Sequence, residues 1–317
     1  MAFVAATLMT TLQMFLSLGR WNRRSICHAS ALYFMVANLQ SMSLKLSQSN
    51  RGVHSFGMQT RTFCVNSQLS AVKHLVDDFQ CSEVRVDFNL RGIESIVILE
   101  ADAEAQEALI NIALDDKSIA AEEDPYGSVL WPSAKTVSTR LLELNLQGKT
   151  ILELGTGTGL VSLTAALSGA KSVLATDYSR FSLSLLEKAK TLQFKLIPDE
   201  VLTTQFLDVK DFSKPLPAAD IVVIADLLYD KGLAVAVGKR VCEAYSRGSL
   251  VIVGNSPGRC GTDDMLRTCK EILGFEVAFK KMAGQTVIGH RHELIGNTAT
   301  VTPQHIETTL LELQLKI

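Results

Sequence analysis

Short apolar runs bounded by polar or glycine positions alternate with amphipathic stretches over most of the 317-residue chain. Such runs predict buried strands, and apolar positions at helical spacing predict helices. Because predicted strands and helices alternate along the chain, the pattern predicts a doubly wound α/β domain with a mostly parallel sheet. Seven core strands follow from it, in the segments ILEL, SVLATD, VLTTQFL, DIVVIAD, SLVIVGNS, FEVAFKKM and TTLLELQLKI. The last two lack an evident helix between them, which predicts a terminal hairpin.

Two further apolar stretches, EVRVDFNL and ESIVILEA, precede this domain on either side of Arg91-Gly92. Glycine favours a tight turn, so these stretches predict an antiparallel β-hairpin. A polar, acidic stretch follows. The segment YGSVLWPSAKTVSTRLLEL then predicts a helix with Ser133 near its start.

The beginning of the chain differs from the rest in charge. No Asp or Glu occurs before Asp77, whereas 7 of the 31 Lys and Arg do. A segment that is poor in acids and rich in Ser, Thr and Arg, without a helical or strand period, is typical of an organellar transit peptide. We therefore expect residues 1–75 to be a leader for a plastid or mitochondrion, 76–125 a hairpin extension, and 126–317 the α/β domain.

Alternatives to a transit peptide stay open at this point. The uncharged opening MAFVAATLMTTLQMFLSLG, followed by RWNRR, is nearly long enough for a signal anchor. Thr and Gln residues and the lack of an aliphatic centre disfavour that interpretation, and no stable membrane insertion is expected. Translation could also start downstream of Met1, and a protein without a targeting segment would be cytoplasmic.

Composition limits the class of partner. With 47% hydrophobic and 20% charged residues, the chain is ordinary for a soluble enzyme. Beyond the basic start, 24 Lys and Arg stand against 33 Asp and Glu, a formal charge of −9. A surface this acidic repels phosphate backbones, so we expect no nucleic-acid binding and a monomeric protein.

The cysteines and histidines show no pattern of a metal or redox site. No C-x-x-C pair occurs among the 6 cysteines, and none has a histidine at metal-ligand spacing, so free thiols and no bound metal are expected. His290 and His292 stand two apart in GHRHEL, and on a strand they would share a face. Because no further ligands accompany them, they are predicted to be a surface or structural pair.

The segment ILELGTGTGL places Gly155, Gly157 and Gly159 between a predicted strand and a helix-compatible run. Glycine tolerates positive φ and lets a ligand approach the backbone, while the next helix offers unpaired N–H groups. A tight connection without a ligand is the alternative. Two neighbours favour a ligand: Glu153 stands just before the glycines, and the next strand ends in Asp177.

An acid at the end of the second strand is placed to accept hydrogen bonds from ribose hydroxyls, which predicts a nucleoside cofactor. A dinucleotide fingerprint, G-x-G-x-x-G, would need a glycine where this chain has Leu160. The spacing G-x-G-x-G after an acid instead resembles motif I of the class I S-adenosylmethionine-dependent methyltransferases.

Three segments narrow the resemblance. YGSVLWPSA, ELGTGTGLVSL and ADLLY resemble the Trp-Pro segment, motif I and the D-x-x-Y signature of the METTL21-like lysine methyltransferases. The resemblance runs from about Tyr126 to the end of the chain. It implies the Rossmann-like seven-stranded sheet of class I methyltransferases, S-adenosyl-L-methionine as cofactor and a protein lysine as methyl acceptor. A small-molecule N- or O-methyltransferase, or a degenerate cofactor-binding partner protein, are the alternatives.

The resemblance also assigns a cofactor pocket. In it, Trp131 lines the pocket, Glu153 helps to fix the loop, Asp177 binds the ribose and Asp208 contacts the adenine. The family often has a tryptophan just after that last position, where this chain has Val209. The full predicted set is Trp131, Glu153, Gly155, Thr156, Gly157, Gly159, Asp177, Asp208 and Ala225.

The predicted catalytic residues are Asp226 and Tyr229, past the end of the fourth core strand, where open α/β sheets bind ligands. By resemblance, Asp226 holds and orients the incoming amine and Tyr229 shapes the channel beside it. Helix capping is the competing function for Asp226. Transfer of a methyl group to a neutral amine needs little acid–base machinery, so positioning and desolvation must supply most of the rate.

The segment VGNSPGR follows the fifth core strand. A similar glycine-proline-arginine run occurs in the branch of the family that methylates the β subunit of electron-transfer flavoprotein in mitochondria. That branch usually has an acidic residue in place of Asn255, and Ser256 is an addition here. A plain Pro-Gly turn is therefore the favoured interpretation.

Overall fold

The computed structural model describes residues 72–90, 92–115, 125–295 and 298–315. The strands in these ranges are β1 (Lys73–Val76), β2 (Phe79–Leu90), β3 (Ile93–Ala101), β4 (Thr150–Leu154), β5 (Ser172–Asp177), β6 (Leu202–Phe206), β7 (Ile221–Ala225), β8 (Leu250–Asn255), β9 (Lys280–Ile295) and β10 (Thr298–Leu313). The helices are α1 (Ala103–Asp115), α2 (Pro132–Glu143), α3 (Leu160–Leu167), α4 (Arg180–Lys190), α5 (Lys231–Ser246) and α6 (Thr262–Leu273), and Pro125–Ser128 is a short 3₁₀ helix.

Seven strands form the core sheet in the order β6-β5-β4-β7-β8-β10-β9. Strands β4 to β8 are parallel to one another, and β10 is antiparallel to both β8 and β9. The predicted doubly wound sheet with a terminal hairpin is therefore confirmed. The chain moves outward in opposite directions from β4 and β7, so the crevice at the carboxyl ends of these two strands is where such a sheet binds ligands.

The core sheet is covered on both faces, as a parallel sheet requires. On one face, residues such as Ile151 and Ile252 pack against α2, α3, α4 and the N-terminal strands. On the other face, residues such as Leu152 and Val251 pack against α5 and α6. Successive residues of each strand therefore serve opposite faces, and this fixes the register of the strands.

Helices α5 and α6 pack closely along a line of small residues, the α5–α6 seam. A Cβ added to Gly261 would lie 2.4 Å from Cβ of Ala234, and one added to Gly238 would lie 3.1 Å from the carbonyl oxygen of Met265. The facing pairs recur at four-residue steps: Ala234 with Gly261, Gly238 with Met265, and Cys242 with Cys269. The seam joins the beginnings of both helices, and so the segments that lead into them from β7 and β8.

The N-terminal strands form a separate three-stranded sheet in the order β1-β2-β3. Strands β2 and β3 are antiparallel, as predicted for the hairpin. Strand β1, which the sequence analysis did not predict, pairs with β2 across Asp77 and Asp78, whose φ values of 46° and 67° make a left-handed turn. The predicted boundary after residue 75 thus falls inside β1, because a four-residue strand is too short to show an alternating pattern.

This N-terminal sheet packs into the same core as the α/β domain. Ile96, Ile98 and Leu99 of β3 are fully buried in the cluster that also contains the α4 side chains. The amide of Gln193, just beyond α4, donates to the carbonyl oxygen of Val97 at 2.6 Å and accepts from its N–H at 3.3 Å. The hairpin extension is therefore a structural part of the domain.

Helix α1 and strands β9 and β10 also differ from the sequence analysis. Helix α1 occupies the start of the stretch that was left without an element. Strands β9 and β10 are each 16 residues long and shifted from the predicted FEVAFKKM and TTLLELQLKI. Gly289 and Pro303 disfavour strand in the sequence, whereas pairing between the two strands includes both positions. The backbone of His290 and His292 lies in β9.

No helix in the described ranges is long and apolar enough to cross a membrane. The same ranges contain no group of His, Cys, Asp and Glu that could hold a metal ion. Cys81, Cys242, Cys260 and Cys269 are free thiols. The predicted leader, with Cys27 and Cys64, lies outside the described residues apart from its last four positions.

Candidate cofactor and acceptor site

The glycine loop joins β4 to α3 at the carboxyl edge of the sheet. The backbone N–H groups of Gly155 and Thr156 both donate to the carbonyl oxygen of Thr176 in β5, at 2.8 and 2.9 Å. Gly157 has φ of 52°, and a Cβ there would lie 3.3 Å from the carbonyl oxygen of Gly127. The loop is therefore fixed to the neighbouring strand and leaves its backbone open to a ligand.

Gly159 serves a different purpose from the other two glycines. It caps the start of α3 with φ of 83°, and a Cβ there would lie 2.4 Å from Cδ1 of Leu186 in α4. Any larger residue would separate the two helices. The structure thus places the third glycine at a helix contact, and the predicted binding function of this residue gains no geometric support.

Glu153 lies beneath the loop and is 1% exposed. Its Oε2 accepts a hydrogen bond from Oγ1 of Thr156 at 2.8 Å and another from the hydroxyl of Ser162 in α3. Burial raises the pKa of Glu153 to about 8, although the two hydroxyl donors act in the opposite direction. The carboxyl group therefore ties the loop to the first turn of α3 from inside the protein.

Asp177 ends β5 and contacts the loop directly. Its Oδ2 accepts from the N–H of Gly157 at 2.9 Å, and its Oδ1 accepts from the N–H of Ser179 at 2.9 Å. A carboxylate has about four lone-pair sites, so both oxygens can accept further hydrogen bonds. This placement, at the carboxyl end of β5 beside the loop, is compatible with the predicted binding of ribose hydroxyls.

One buried hydroxyl near the loop has no protein partner. Oγ of Ser182, in the first turn of α4, makes no hydrogen bond with the described residues. A Cβ on Gly127 would lie 2.4 Å from this oxygen, and Gly127 in turn approaches Gly157. The glycine backbone of the loop, the carboxylate of Asp177 and the unpaired hydroxyl of Ser182 come together here. Their chemistry fits a cofactor with a ribose and an amino-acid part.

Asp208 lies past the end of β6, half-buried, where it caps its own turn. Its Oδ1 accepts from the N–H of Lys210 at 2.8 Å. The next residue, Val209, is 7% exposed and packs in the core on the α5–α6 face. The position at which the family often has a tryptophan is therefore a core position in this chain, and Asp208 alone remains as the predicted adenine contact.

Asp226 follows β7 in the left-handed conformation, with φ of 62°. Oδ1 accepts from the N–H of Ser256 at 3.2 Å and from Nε of Arg259 at 2.7 Å. Oδ2 accepts from the N–H of Ser133 at 3.2 Å and from Oγ of Ser256. The carboxylate thus joins the end of β7, the start of α2 and the segment after β8.

The helix that follows Asp226 is capped by another residue. Asp230 caps α5, because its Oδ1 accepts from the N–H of Leu233 at 2.8 Å. Ala225, the last residue of β7, pairs with Gly254 of β8, and the N–H of Asp226 donates to the carbonyl oxygen of Gly254 at 3.0 Å. Asp226 therefore does not cap the helix that follows it, although its Oδ2 accepts from the N–H of Ser133 in the first turn of α2.

An aromatic ring lies against the arginine that binds Asp226. Cζ of Arg259 lies 4.4 Å from the ring centroid of Trp131, whose Nε1 donates to the carbonyl oxygen of Tyr126 at 2.8 Å. The rings of Tyr126 and Tyr229 have centroids 6.4 Å apart. The predicted residues Trp131, Asp226 and Tyr229 therefore belong to one cluster.

Arg259 was not among the predicted site residues. Its segment, SPGR, was interpreted as a plain turn, and a turn is present, with Gly258 at φ of 78°. The signal for more than a turn was the likeness of the glycine-proline-arginine run to one branch of the resembled family. The contact with Asp226 itself joins residues 33 apart and depends on the pairing of β7 with β8.

The profile of the lysine methyltransferase family matches residues 114–254. This segment is therefore similar to the lysine methyltransferases. The electron transfer flavoprotein beta subunit lysine methyltransferase of Rattus norvegicus is 31% identical over 142 residues, 43% of this chain and 52% of that protein. The protein of the same name from Mus musculus is 32% identical over the same shares. Protein-lysine methyltransferase METTL21E of Bos taurus is 36% identical over 121 residues, 33% of this chain and 39% of that protein.

The chain spans about half the length of the first of these relatives, at 52%. The match confirms the resemblance to lysine methyltransferases and, with it, S-adenosylmethionine as the predicted cofactor. It starts within α1, upstream of the predicted Tyr126, and ends at Gly254. Arg259 thus lies beyond the matched segment of the lysine methyltransferase domain, although it contacts two residues inside it.

Proposed function

We propose that this chain is an S-adenosylmethionine-dependent methyltransferase that methylates a lysine side chain of a protein. The observation that carries the proposal is the meeting of two groups of residues at one edge of the sheet. The loop after β4 and Asp177 form one group, and Asp226 with its aromatic neighbours forms the other. The side chain of Leu227, next to Asp226, lies against Gly155 of the loop, so the two groups are adjacent.

The residues divide the work of the reaction between them. When bound, S-adenosylmethionine supplies a methyl group on a positively charged sulfur. The loop and Asp177 hold the nucleoside end, and Glu153 keeps the loop in place. Asp226 holds the acceptor amine, while Trp131 and Tyr229 exclude water from it. Desolvation and the positive sulfur favour the neutral amine that attacks, whereas the carboxylate of Asp226 favours the ammonium that first binds.

The acceptor is proposed to be a lysine of a folded protein. The names of the relatives support this choice, since all three are described as acting on protein lysines. The β subunit of electron-transfer flavoprotein is the first candidate because two of them are named for it. We further propose that the enzyme is monomeric and located in a mitochondrion or plastid. The acid-poor start of the chain supports that location.

Two measurements test this function. Calorimetry should show binding of S-adenosylhomocysteine and none of NAD. Incubation with radiolabelled S-adenosylmethionine and purified electron-transfer flavoprotein should label the β subunit on lysine, as mass spectrometry would locate. A chain with Asp177→Ala, in which weaker cofactor binding is expected, serves as the matched control. Binding of NAD without S-adenosylhomocysteine would refute the methyltransferase; labelling of a different protein in an organelle extract would refute only the candidate substrate.

A further inference from the structure

The guanidinium of Arg259 lies between a carboxylate and an indole ring. Its Nε is 2.7 Å from Oδ1 of Asp226, and its Cζ is 4.4 Å from the ring centroid of Trp131. The side chain of Arg259 is 13% exposed and that of Asp226 2%. A buried anion beside an aromatic face attracts a cation strongly. Together Asp226 and Trp131 form a cation site that an internal arginine fills.

This cation site adjoins the loop. Leu227 directly follows Asp226, and a Cβ added to Gly155 would lie 2.7 Å from Cδ1 of Leu227. The rings of Tyr229 and Tyr126 are tilted against one another at 51°. A cationic group between Asp226 and Trp131 would therefore lie beside the place where the proposed function puts the cofactor.

We propose that Arg259 occupies the subsite for the acceptor's alkylammonium group and is displaced from it when the acceptor binds. The ligand class is a primary or N-methylated alkylammonium, which has the charge of the guanidinium and whose methyl groups suit an aromatic face. The inference rests on the proposed function, because it takes the acceptor to be a lysine. It makes Arg259 a residue that selects for cations able to compete with it.

Asp226 is held in place without Arg259. The N–H of Ser133, the N–H of Ser256 and the hydroxyl of Ser256 all donate to its carboxylate. Departure of the guanidinium therefore leaves the carboxylate hydrogen-bonded and in the same orientation. An incoming ammonium would find a fixed anion, as a positioned acceptor requires.

The backbone of Arg259 is also independent of its side chain. Its carbonyl oxygen accepts from Oγ1 of Thr262 at 2.9 Å and from the N–H of Thr262 at 3.3 Å. The side chain can therefore leave Asp226 by rotation about its own torsions, with the turn before α6 unchanged. A site that is open only part of the time has its apparent affinity lowered by the open fraction. Removal of the guanidinium is then expected to tighten acceptor binding.

Tryptophan fluorescence can report this displacement. The chain contains 2 tryptophans, Trp21 and Trp131, so Trp21→Phe in the full chain leaves Trp131 as the reporter. The probe is Nα-acetyl-lysine methylamide, added with S-adenosylhomocysteine at saturation, and the uncharged norleucine analogue is the matched control. We expect a saturable change in Trp131 emission with the lysine probe only. Arg259→Gln in the same background should lower the midpoint several-fold, whereas Arg259→Lys should leave it near the original value.

Other results would overturn the inference. In the fluorescence titration, these are an equal response to the lysine and norleucine probes, or no response to either. In Arg259→Gln, they are an unchanged or raised midpoint, or loss of S-adenosylhomocysteine binding. Calorimetry with S-adenosylhomocysteine on the chain that retains Arg259 separates the two proposals. If the cofactor analogue does not bind there, the proposed function fails; if it binds while the lysine probe has no effect, only the subsite fails.

Discussion

Oε1 of Glu100 accepts a hydrogen bond from the backbone N–H of Leu130 at 2.6 Å, across 30 residues of sequence. Glu100 lies near the end of β3 and is 8% exposed. Leu130 directly precedes Trp131, which begins α2 and faces Arg259. The N-terminal sheet therefore fixes the segment that brings Trp131 to the candidate site.

Replacement of Glu100 tests this connection. Glu100→Ala removes a hydrogen bond to a charged acceptor, which is typically worth about 1.5–3 kcal/mol. We expect a lower free energy of unfolding and weaker binding of S-adenosylhomocysteine, because Trp131 loses its anchor. Glu100→Gln keeps an acceptor oxygen and is the matched control, expected to lose much less. Equal losses in the two variants, measured by urea unfolding and calorimetry, would contradict the assignment.

Glu153 predicts a pH dependence of stability. Its pKa is raised by burial to about 8 in the folded protein, whereas an exposed glutamate titrates near about 4.3. Between these values the folded state binds more protons, so the contribution of Glu153 is full at low pH and is lost as pH rises to about 8. Glu153→Gln resembles the protonated form and should flatten this dependence. Urea unfolding at several values from about pH 5 to pH 8.5 checks it, and parallel curves for both proteins would refute it.

Asp177 predicts a loss of cofactor affinity. Asp177→Ala removes the contact with the N–H of Gly157 and the proposed ribose acceptor together. We expect S-adenosylmethionine binding to weaken by about 1.5–3 kcal/mol, about tenfold or more. Asp177→Asn keeps one oxygen and should fall between. Unchanged affinity in a folded Asp177→Ala protein would remove the ribose function.

Replacement of Asp226 is expected to lower both stability and the rate of methyl transfer. If Asp226 only held the acceptor amine, as the resemblance implies, Asp226→Asn would leave cofactor affinity nearly unchanged. In the structure every donor to its carboxylate comes from the protein, so Asp226→Asn also leaves Arg259 without its anion. We expect about 3–5 kcal/mol of destabilisation, as for a broken buried ion pair, and methyl transfer about a hundredfold slower. Ser256→Ala, which removes one hydroxyl donor, is the milder control in thermal unfolding and single-turnover methylation. A stability equal to that of the unaltered chain would contradict a structural function of Asp226.

Truncation tests the corrected boundary. A chain that begins at residue 72 keeps β1 and should bind S-adenosylhomocysteine like the full chain. One that begins at residue 79 loses β1, including buried Val76, and should unfold at a lower temperature. A start at residue 102 removes Ile96, Ile98 and Leu99 from the core and should be insoluble. Solubility and cofactor binding by that shortest chain would show that the N-terminal sheet is dispensable.

The core fold was predictable because each parallel strand is a local apolar run that a glycine or acid ends. Glu153 and Asp177 contact the loop, and the sequence could locate both because they stand at strand ends. Strand β1 and helix α1 were not predicted, because one is very short and the other is acidic with a weak apolar stripe. The bond between Asp226 and Arg259 depends on two strands that meet only in the folded sheet. No local pattern encodes that contact.

The α5–α6 seam has a consequence for thiol chemistry. Cys242 and Cys269 are buried there, whereas Cys260, at the turn before α6, is partly exposed. Hydrogen bonding to Cys242 and burial raise the pKa of the Cys269 thiol. Alkylating reagents attack accessible thiolates, so Cys260 should react in the folded protein, and the buried pair should react only when the helices separate. The labelling rate of Cys242 and Cys269 therefore measures how often α5 and α6 separate. The same motion would draw the ends of β7 and β8 away from each other.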